Sequence, residues 1–169
     1  MAFDRKIGYV IGIDPDAKLS GLSVFNRQTR VMEIFCLNFP ALLEKVKGIY
    51  EENKEAPFMV YVEAGWMNKG NWHITESRNG KFSPSAWAAA VGTATGACNA
   101  VSKNLLECFE FYGIPCSPIK PLRKCWHGPD RKITHKELIH ELNIYRVKYN
   151  FNRSNQEERD AALICLVNI

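Results

Sequence analysis

An apolar run that ends in a carboxylate, Tyr9–Asp14, constrains the fold of this chain more than any other stretch. A turn-forming segment, 15–21, follows it, and a second apolar run begins directly afterwards at 22–25. This order predicts a buried strand, a tight turn and a return strand, with Asp14 at the end of the first strand. A carboxylate on a strand end is held rigidly enough for metal catalysis. Alternatively, Asp14 only begins the turn, since Asp is common there.

The composition is that of an ordinary soluble globule. Of the 169 residues, 46% are hydrophobic and 24% are charged, and this length can bury the core of one domain. No apolar run approaches the ~20 residues of a membrane span, and the first six residues lack the apolar segment of a signal peptide. We therefore expect one domain over residues 1–169 and no membrane partner.

The cysteines indicate a reducing compartment. The six contain no CxxC pair and lie mostly in apolar contexts, at Cys36, Cys98, Cys108, Cys116, Cys125 and Cys165. A zinc site or a disulfide framework would show closer, patterned spacing. The pattern predicts free thiols in a cytoplasmic protein.

Strand and helix patterns predict an α/β fold. Strand patterns lie at 7–13, 20–26, 30–37, 58–62 and 114–119. The first three are separated by short turns and predict an antiparallel meander. A helix opens at Pro40, and the run at 58–62 is typical of a buried parallel strand ending in Glu63.

A long helix is predicted from its capping residue, Ser83 or Ser85, to about Tyr112. Gly92 and Gly96 share one face of it. Either a ligand or another backbone approaches there, or the helix packs tightly on the sheet.

Positive charge is concentrated in one segment. The net charge of the chain is +4, yet residues 117–153 hold nine Lys or Arg against three Asp or Glu. This imbalance suggests a surface that faces a polyanion, although a solvated helix face is the alternative. Thr134 caps a helix through about Leu142 within this segment.

Four carboxylates are predicted to meet at one edge of the sheet. Asp14 and Glu63 end strands that can pair in parallel, and Glu157 and Asp160 share a face of the last helix. Such acids repel one another unless a cation neutralises them, and oxygen ligands suit Mg²⁺ or Mn²⁺. Each acid also has a structural explanation: a turn for Asp14, a solvated strand end for Glu63, a capping box with Ser154 for Glu157, and the helix dipole for Asp160.

These motifs resemble those of the RuvC-type Holliday junction resolvases of the RNase H-like superfamily. The likeness spans about residues 7–169 and is carried by Gly12-Ile13-Asp14-Pro15 with Gly21, Val62-Glu63, Glu157-Glu158-Arg159-Asp160-Ala161, the two helix glycines and Ser117-Pro118. It implies an RNase H-like fold with a mixed five-stranded sheet, three antiparallel strands followed by parallel ones, flanked by helices.

The resemblance implies a homodimeric endonuclease that resolves four-way DNA junctions, encoded by a bacterium or a phage. Asp14, Glu63 and Asp160 would be catalytic metal ligands, with Glu157 as the fourth acid, where the family usually has Asp or His. Two Mg²⁺ per active site, replaceable by Mn²⁺, would serve hydrolysis of the phosphodiester.

The resemblance also implies residues that bind DNA. An aromatic residue three positions after the strand-end Glu wedges into the junction in the family, which is Trp66 here. The full predicted set is Trp66, Lys69, Trp72, Arg123, Lys124, Arg131, Lys132 and Lys136. Two departures bear on substrate preference, namely Asp16 in place of a common Gly and a longer loop over 64–83.

Three alternatives stay open. The same fold could act on flaps or RNA, or bind branched DNA without cutting it, although a binder does not need four crowded acids. An actin-like ATPase also begins with a strand and an Asp turn, but it needs two such domains, which 169 residues nearly exclude.

Overall fold

The computed structural model describes residues 8–68 and 83–169. The elements in chain order are β1 (Tyr9–Asp14), β2 (Ser20–Asn26), β3 (Val31–Leu37), α1 (Phe39–Glu52), β4 (Phe58–Glu63), α2 (Pro84–Phe111), β5 (Cys116–Ile119), α3 (His135–Ile144), β6 (Lys148–Tyr149) and α4 (Gln156–Leu166). Short 3₁₀ turns lie at Gly65–Met67 and Pro129–Arg131.

The sheet has the order β5-β4-β1-β2-β3-β6. The first three strands form the predicted antiparallel meander, and β4 and β5 add in parallel beside β1. The prediction of five strands is one short, because β6 pairs in parallel with the outer edge of β3. Two residues in a basic, polar segment are too few to show a strand period.

Two hydrophobic cores cover the two faces of the sheet. Alternate residues of β1 point to opposite faces, so Ile11 joins the core beneath α1 and α2, whereas Val10 joins the core beneath α3 and α4. This alternation is the period of two expected of a strand buried on both faces.

Two glycines let α4 lie directly against the strands. A Cβ atom at Gly12 would stand 2.5 Å from the Ala161 carbonyl oxygen and 2.7 Å from the Cys165 backbone nitrogen. A Cβ atom at Gly21 would overlap the carbonyl group of Glu157. Backbone approaches this close require glycine, and they fix where the first turn of α4 sits above the sheet.

The structure decides between the two capping residues predicted for the long helix. Ser83 rather than Ser85 caps α2, since its side chain accepts from the backbone nitrogen of Ala86 at 3.3 Å. Gly113, at φ +68°, follows the end of this helix as C-terminal glycines often do. Among the described residues, a Cβ atom at Gly92 or Gly96 would meet nothing within 4 Å, so the alternative that these glycines pack tightly on the sheet is wrong.

The capping prediction for the last helix is also wrong, by one residue. Asn155, not Ser154, caps α4, and its side chain accepts from the backbone nitrogen of Glu158 at 2.9 Å. Glu158 completes the capping box by accepting from the backbone nitrogen of Asn155 at 2.8 Å. Glu157 is therefore released from the capping role.

All six cysteines are free thiols, as predicted. Within the two described ranges, no helix is long and apolar enough to cross a membrane.

Candidate active site

Asp14 and Glu63 stand side by side at one edge of the sheet. They end β1 and β4, which run in parallel with Ile13 paired to Val62. The carboxyl ends of parallel strands meet at the same edge, where ligands of open α/β sheets commonly bind. The strand register therefore places Asp14 beside Glu63, as the sequence predicts.

The first turn of α4 brings the other two acids to the same place. Asp14, Glu63, Glu157 and Asp160 all line one open cavity of about 970 Å³. The structure thus brings all four predicted acids together.

Burial and the negative charge of neighbouring acids make the carboxyls of Asp14 and Glu63 harder to ionise. Burial, followed by the negative charges of Glu63, Asp160 and Glu157, raises the pKa of Asp14 well above its usual value. Burial also raises the pKa of Glu63, although a backbone hydrogen bond from Leu122 opposes the rise. A perturbed group of this kind in a cleft is typical of a functional site.

Asp160 is engaged by two protein partners. Its Oδ1 accepts from Gln156 Nε2 at 2.7 Å, and its Oδ2 lies 3.5 Å from Lys132 Nζ. Among the described residues, no three His, Cys, Asp or Glu side chains stand in an arrangement that could hold a metal ion. The donor set still fits a hard divalent cation, because it consists of carboxylate oxygens and crowds negative charge around a buried acid. A cation bound at Asp160 Oδ2 would compete with the Lys132 ammonium group for that oxygen.

One wall of the cavity is basic. It is formed by the segment that follows β5 and includes Lys120, Arg123, Lys124, Trp126 and Lys132. Of the predicted DNA-binding residues, Arg123, Lys124 and Lys132 lie in this wall. Arg131 and Lys136 are exposed and lie outside the lining.

Trp66 lies near the cavity without lining it. It belongs to the 3₁₀ turn that follows Glu63, and 37% of its surface is exposed. Its ring lies under the Lys103 ammonium group, with Nζ 5.4 Å from the ring centroid. The predicted contacts Lys69 and Trp72 lie outside the described residues.

A second wall of the cavity was not predicted. It comes from α2 and presents Ala94, Thr95, Cys98 and Asn99. Asp16 lines the cavity too, and the Cys98 thiol donates to its Oδ2 at 3.9 Å. Sequence periodicity cannot show which turn of a 28-residue helix crosses the site. Lys120 could have been found, because it directly follows the last predicted strand.

Comparison with solved structures finds proteins of similar architecture. RuvC of T. thermophilus in complex with a Holliday junction substrate matches over 94% of this chain and 90% of that chain, with a TM-score of 0.52 and 15% identity. Another Thermus thermophilus RuvC structure matches over 94% of this chain and 91% of that one, at TM-score 0.45 and 18% identity. The Fowlpox virus resolvase with Holliday junction DNA matches over 94% and 95%, at TM-score 0.40 and 12% identity.

The sequence comparisons find no such match. No protein-family model matches the chain, and no curated protein matches it either. The first structural match and the strand order together establish the architecture: the chain has the RNase H-like fold of the RuvC-type resolvases.

Proposed function

We propose that this protein is a divalent-metal-dependent endonuclease that resolves four-way DNA junctions. The observation that carries the proposal is the meeting of four carboxylates, from two strand ends and one helix, in a cavity with a basic wall. The similar fold of T. thermophilus RuvC, whose structure contains a Holliday junction substrate, supports the choice of substrate.

Asp14, Glu63 and Asp160 would hold the metal, with Glu157 as the fourth acid. Their oxygen donors suit Mg²⁺, with Mn²⁺ as a substitute, and the number of acids suits two ions. A bound pair would supply an activated water and stabilise the leaving oxygen of the phosphodiester. The raised pKa of Asp14 supports this assignment, because a nearby cation would offset both the burial of the ionised carboxylate and the repulsion from the neighbouring acids.

The basic wall would position the DNA. Arg123, Lys124 and Lys132 can each hold a phosphate beside the acids, and such contacts fix the register of a strand without reading its sequence. Lys132 would also affect the metal site. A phosphate that attracts the Lys132 ammonium group would free Asp160 Oδ2 for the metal. Trp66 would stack on bases that are unpaired at the crossover.

We also infer a homodimer, which would supply two active sites for paired cuts. The N-terminal two thirds of α2 supports the dimer, since residues 84–102 contain no charged side chain and are largely exposed. A charge placed there, as in Ala90→Glu, should convert the dimer to a monomer in light scattering. Glu107→Gln, near the other end of the same helix, should leave the dimer intact.

A panel of labelled substrates tests the proposed function. With Mg²⁺, a four-way junction should be nicked at symmetric positions, whereas linear duplex of the same sequence should stay intact. Preferential cutting of flaps or RNA–DNA hybrids would support nuclease activity but contradict the four-way junction as the substrate.

One observation favours a second candidate, a branched-DNA-binding protein without nuclease activity. Asp160 is paired with Lys132, and the described acids do not form a ready metal-binding group. Tight junction binding without cuts in either Mg²⁺ or Mn²⁺ would select this candidate.

A further inference from the structure

The hydrogen bonds of Asp160 lead to two neighbours that the proposed chemistry does not use. Gln156 Nε2 donates to Asp160 Oδ1 at 2.7 Å, and Gln156 Oε1 accepts from Arg159 Nη2 at 2.9 Å. An amide has one accepting end and one donating end. Because the guanidinium of Arg159 takes the accepting end, the donating end is directed at Asp160.

Arg159 is itself fixed by the backbone. Its Nε donates to the carbonyl oxygen of Ile133 at 2.8 Å, and its Nη1 donates to the carbonyl oxygen of Ser154. Ile133 is buried, so this anchor belongs to the core rather than to a mobile surface. All three guanidinium nitrogens therefore have an acceptor.

These contacts form a closed series that includes Asp160. The backbone that anchors Arg159 is next in the chain to Lys132, and Lys132 pairs with the other oxygen of Asp160. The basic wall and the acidic helix are thus tied together by Ile133, Arg159, Gln156 and Asp160.

We propose that Gln156 is a positioning residue for Asp160 and that Arg159 fixes the orientation of Gln156. Gln156 holds Oδ1, which leaves Oδ2 for a cation, either the ammonium of Lys132 or a bound divalent metal. The inference rests on the proposed function, because it assigns these residues to the metal site. Partners that orient a metal ligand typically change metal affinity or activity by about 10- to 100-fold when removed.

Calorimetric titration with Mn²⁺ in the absence of DNA tests the assignment. Gln156→Ala should bind Mn²⁺ about 10- to 100-fold more weakly than the wild type. Its cleavage of a four-way junction should need correspondingly more Mg²⁺ and recover at saturating Mg²⁺. Its affinity for the junction in EDTA should not change, because Gln156 is not assigned to DNA. Arg159→Lys, which keeps the charge but loses the forked geometry, should show a smaller loss of the same kind.

Glu158→Ala is the matched control on the same helix. Glu158 accepts from the backbone nitrogen of Asn155 in the capping box, so this variant weakens the start of α4 without removing a partner of Asp160. It should melt at a lower temperature than the wild type and keep the wild-type affinity for Mn²⁺.

Two results would overturn the assignment while leaving the proposed function standing. One is wild-type Mn²⁺ affinity in Gln156→Ala. The other is an equal loss of affinity in Gln156→Ala and Glu158→Ala, which would trace the effect to helix stability. If the wild type itself binds neither Mn²⁺ nor Mg²⁺, the metal-dependent function fails, and the positioning assignment fails with it.

Discussion

Gly21 lies so close to Glu157 that any side chain at Gly21 would overlap the carbonyl group at the start of α4. A glycine in β2 therefore sets the height of the helix that carries two of the four acids. Gly21 has no functional group, yet it helps to determine the geometry of the candidate site.

Gly21→Ala should displace α4 and destabilise the protein. The added methyl group meets backbone rather than a flexible side chain, and overpacking of this kind typically costs about 1–3 kcal/mol or more. Urea unfolding measures the loss. Gly48→Ala is the control, since a Cβ atom there meets nothing within 4 Å among the described residues. Gly48 lies inside α1, where alanine is favoured over glycine by about 0.5–1 kcal/mol. Equal stability of the two variants would contradict the packing argument.

Asp14→Asn should stabilise the metal-free protein at neutral pH. Because the pKa of Asp14 is raised in the folded state above its usual 3.8, its contribution to stability is present at low pH and is lost as the pH rises through the raised pKa. Asparagine cannot ionise, so the variant does not lose this stability as the pH rises. A gain of about 1 kcal/mol would raise the melting temperature in EDTA by about 2–4 °C.

The matched control for this prediction is Asp16→Asn, two residues along the chain. Asp16 Oδ1 accepts from the backbone nitrogen of Lys18, and no gain in melting temperature is expected from its replacement. Addition of Mg²⁺ should stabilise the wild type more than Asp14→Asn. A lower melting temperature for Asp14→Asn in EDTA would contradict the argument that burial and repulsion destabilise the ionised Asp14 carboxylate.

Glu137→Gln should remove an acid-sensitive part of the stability. Hydrogen bonds from the Thr134 hydroxyl and backbone, and then from His127, lower the pKa of Glu137 from 4.5 to about 2. The ionised form therefore stabilises the fold above pH 4.5, and this contribution is lost as the pH falls from there towards 2. Urea unfolding between pH 2.5 and 6 should show a shallower pH dependence in the variant. His127→Ala should keep most of the wild-type slope, because Thr134 is the larger cause.

Trp66→Ala should weaken binding to the junction more than binding to linear duplex. Stacking of an aromatic ring on an unpaired base contributes about 1–3 kcal/mol, and linear duplex offers no unpaired base at its centre. Fluorescence anisotropy with both DNAs in EDTA measures the difference. Trp66→Phe keeps a ring and should lose less. An equal loss of affinity for both DNAs would contradict the assignment of Trp66 to the unpaired bases at the crossover.

The strand ends could be predicted because their signals are local. An apolar run that stops at Asp14, and another that stops at Glu63, mark buried strands, and the parallel pairing of these strands sets the two acids side by side. The antiparallel order of β1, β2 and β3 follows from the short polar turns between them, which are also local signals.

The start of α4 could not be predicted because the sequence offers two overlapping capping boxes. Ser154 with Glu157 and Asn155 with Glu158 both have the required spacing. Contacts from elsewhere in the fold decide between them, since Ser154 Oγ bonds the His135 ring at 2.8 Å. The α2 residues that line the cavity and the two residues of β6 could not be predicted for the same reason, because contacts distant in the sequence determine their positions.

Cleavage of an end-labelled four-way junction by excess protein tests the central claim most directly. With Mg²⁺, the wild type should produce paired, symmetric nicks, whereas EDTA or Asp14→Asn should abolish the nicks and leave junction binding intact. Cleavage by Asp14→Asn at the wild-type rate, or wild-type cleavage in EDTA, would contradict the assignment of the four acids to a metal-dependent nuclease site.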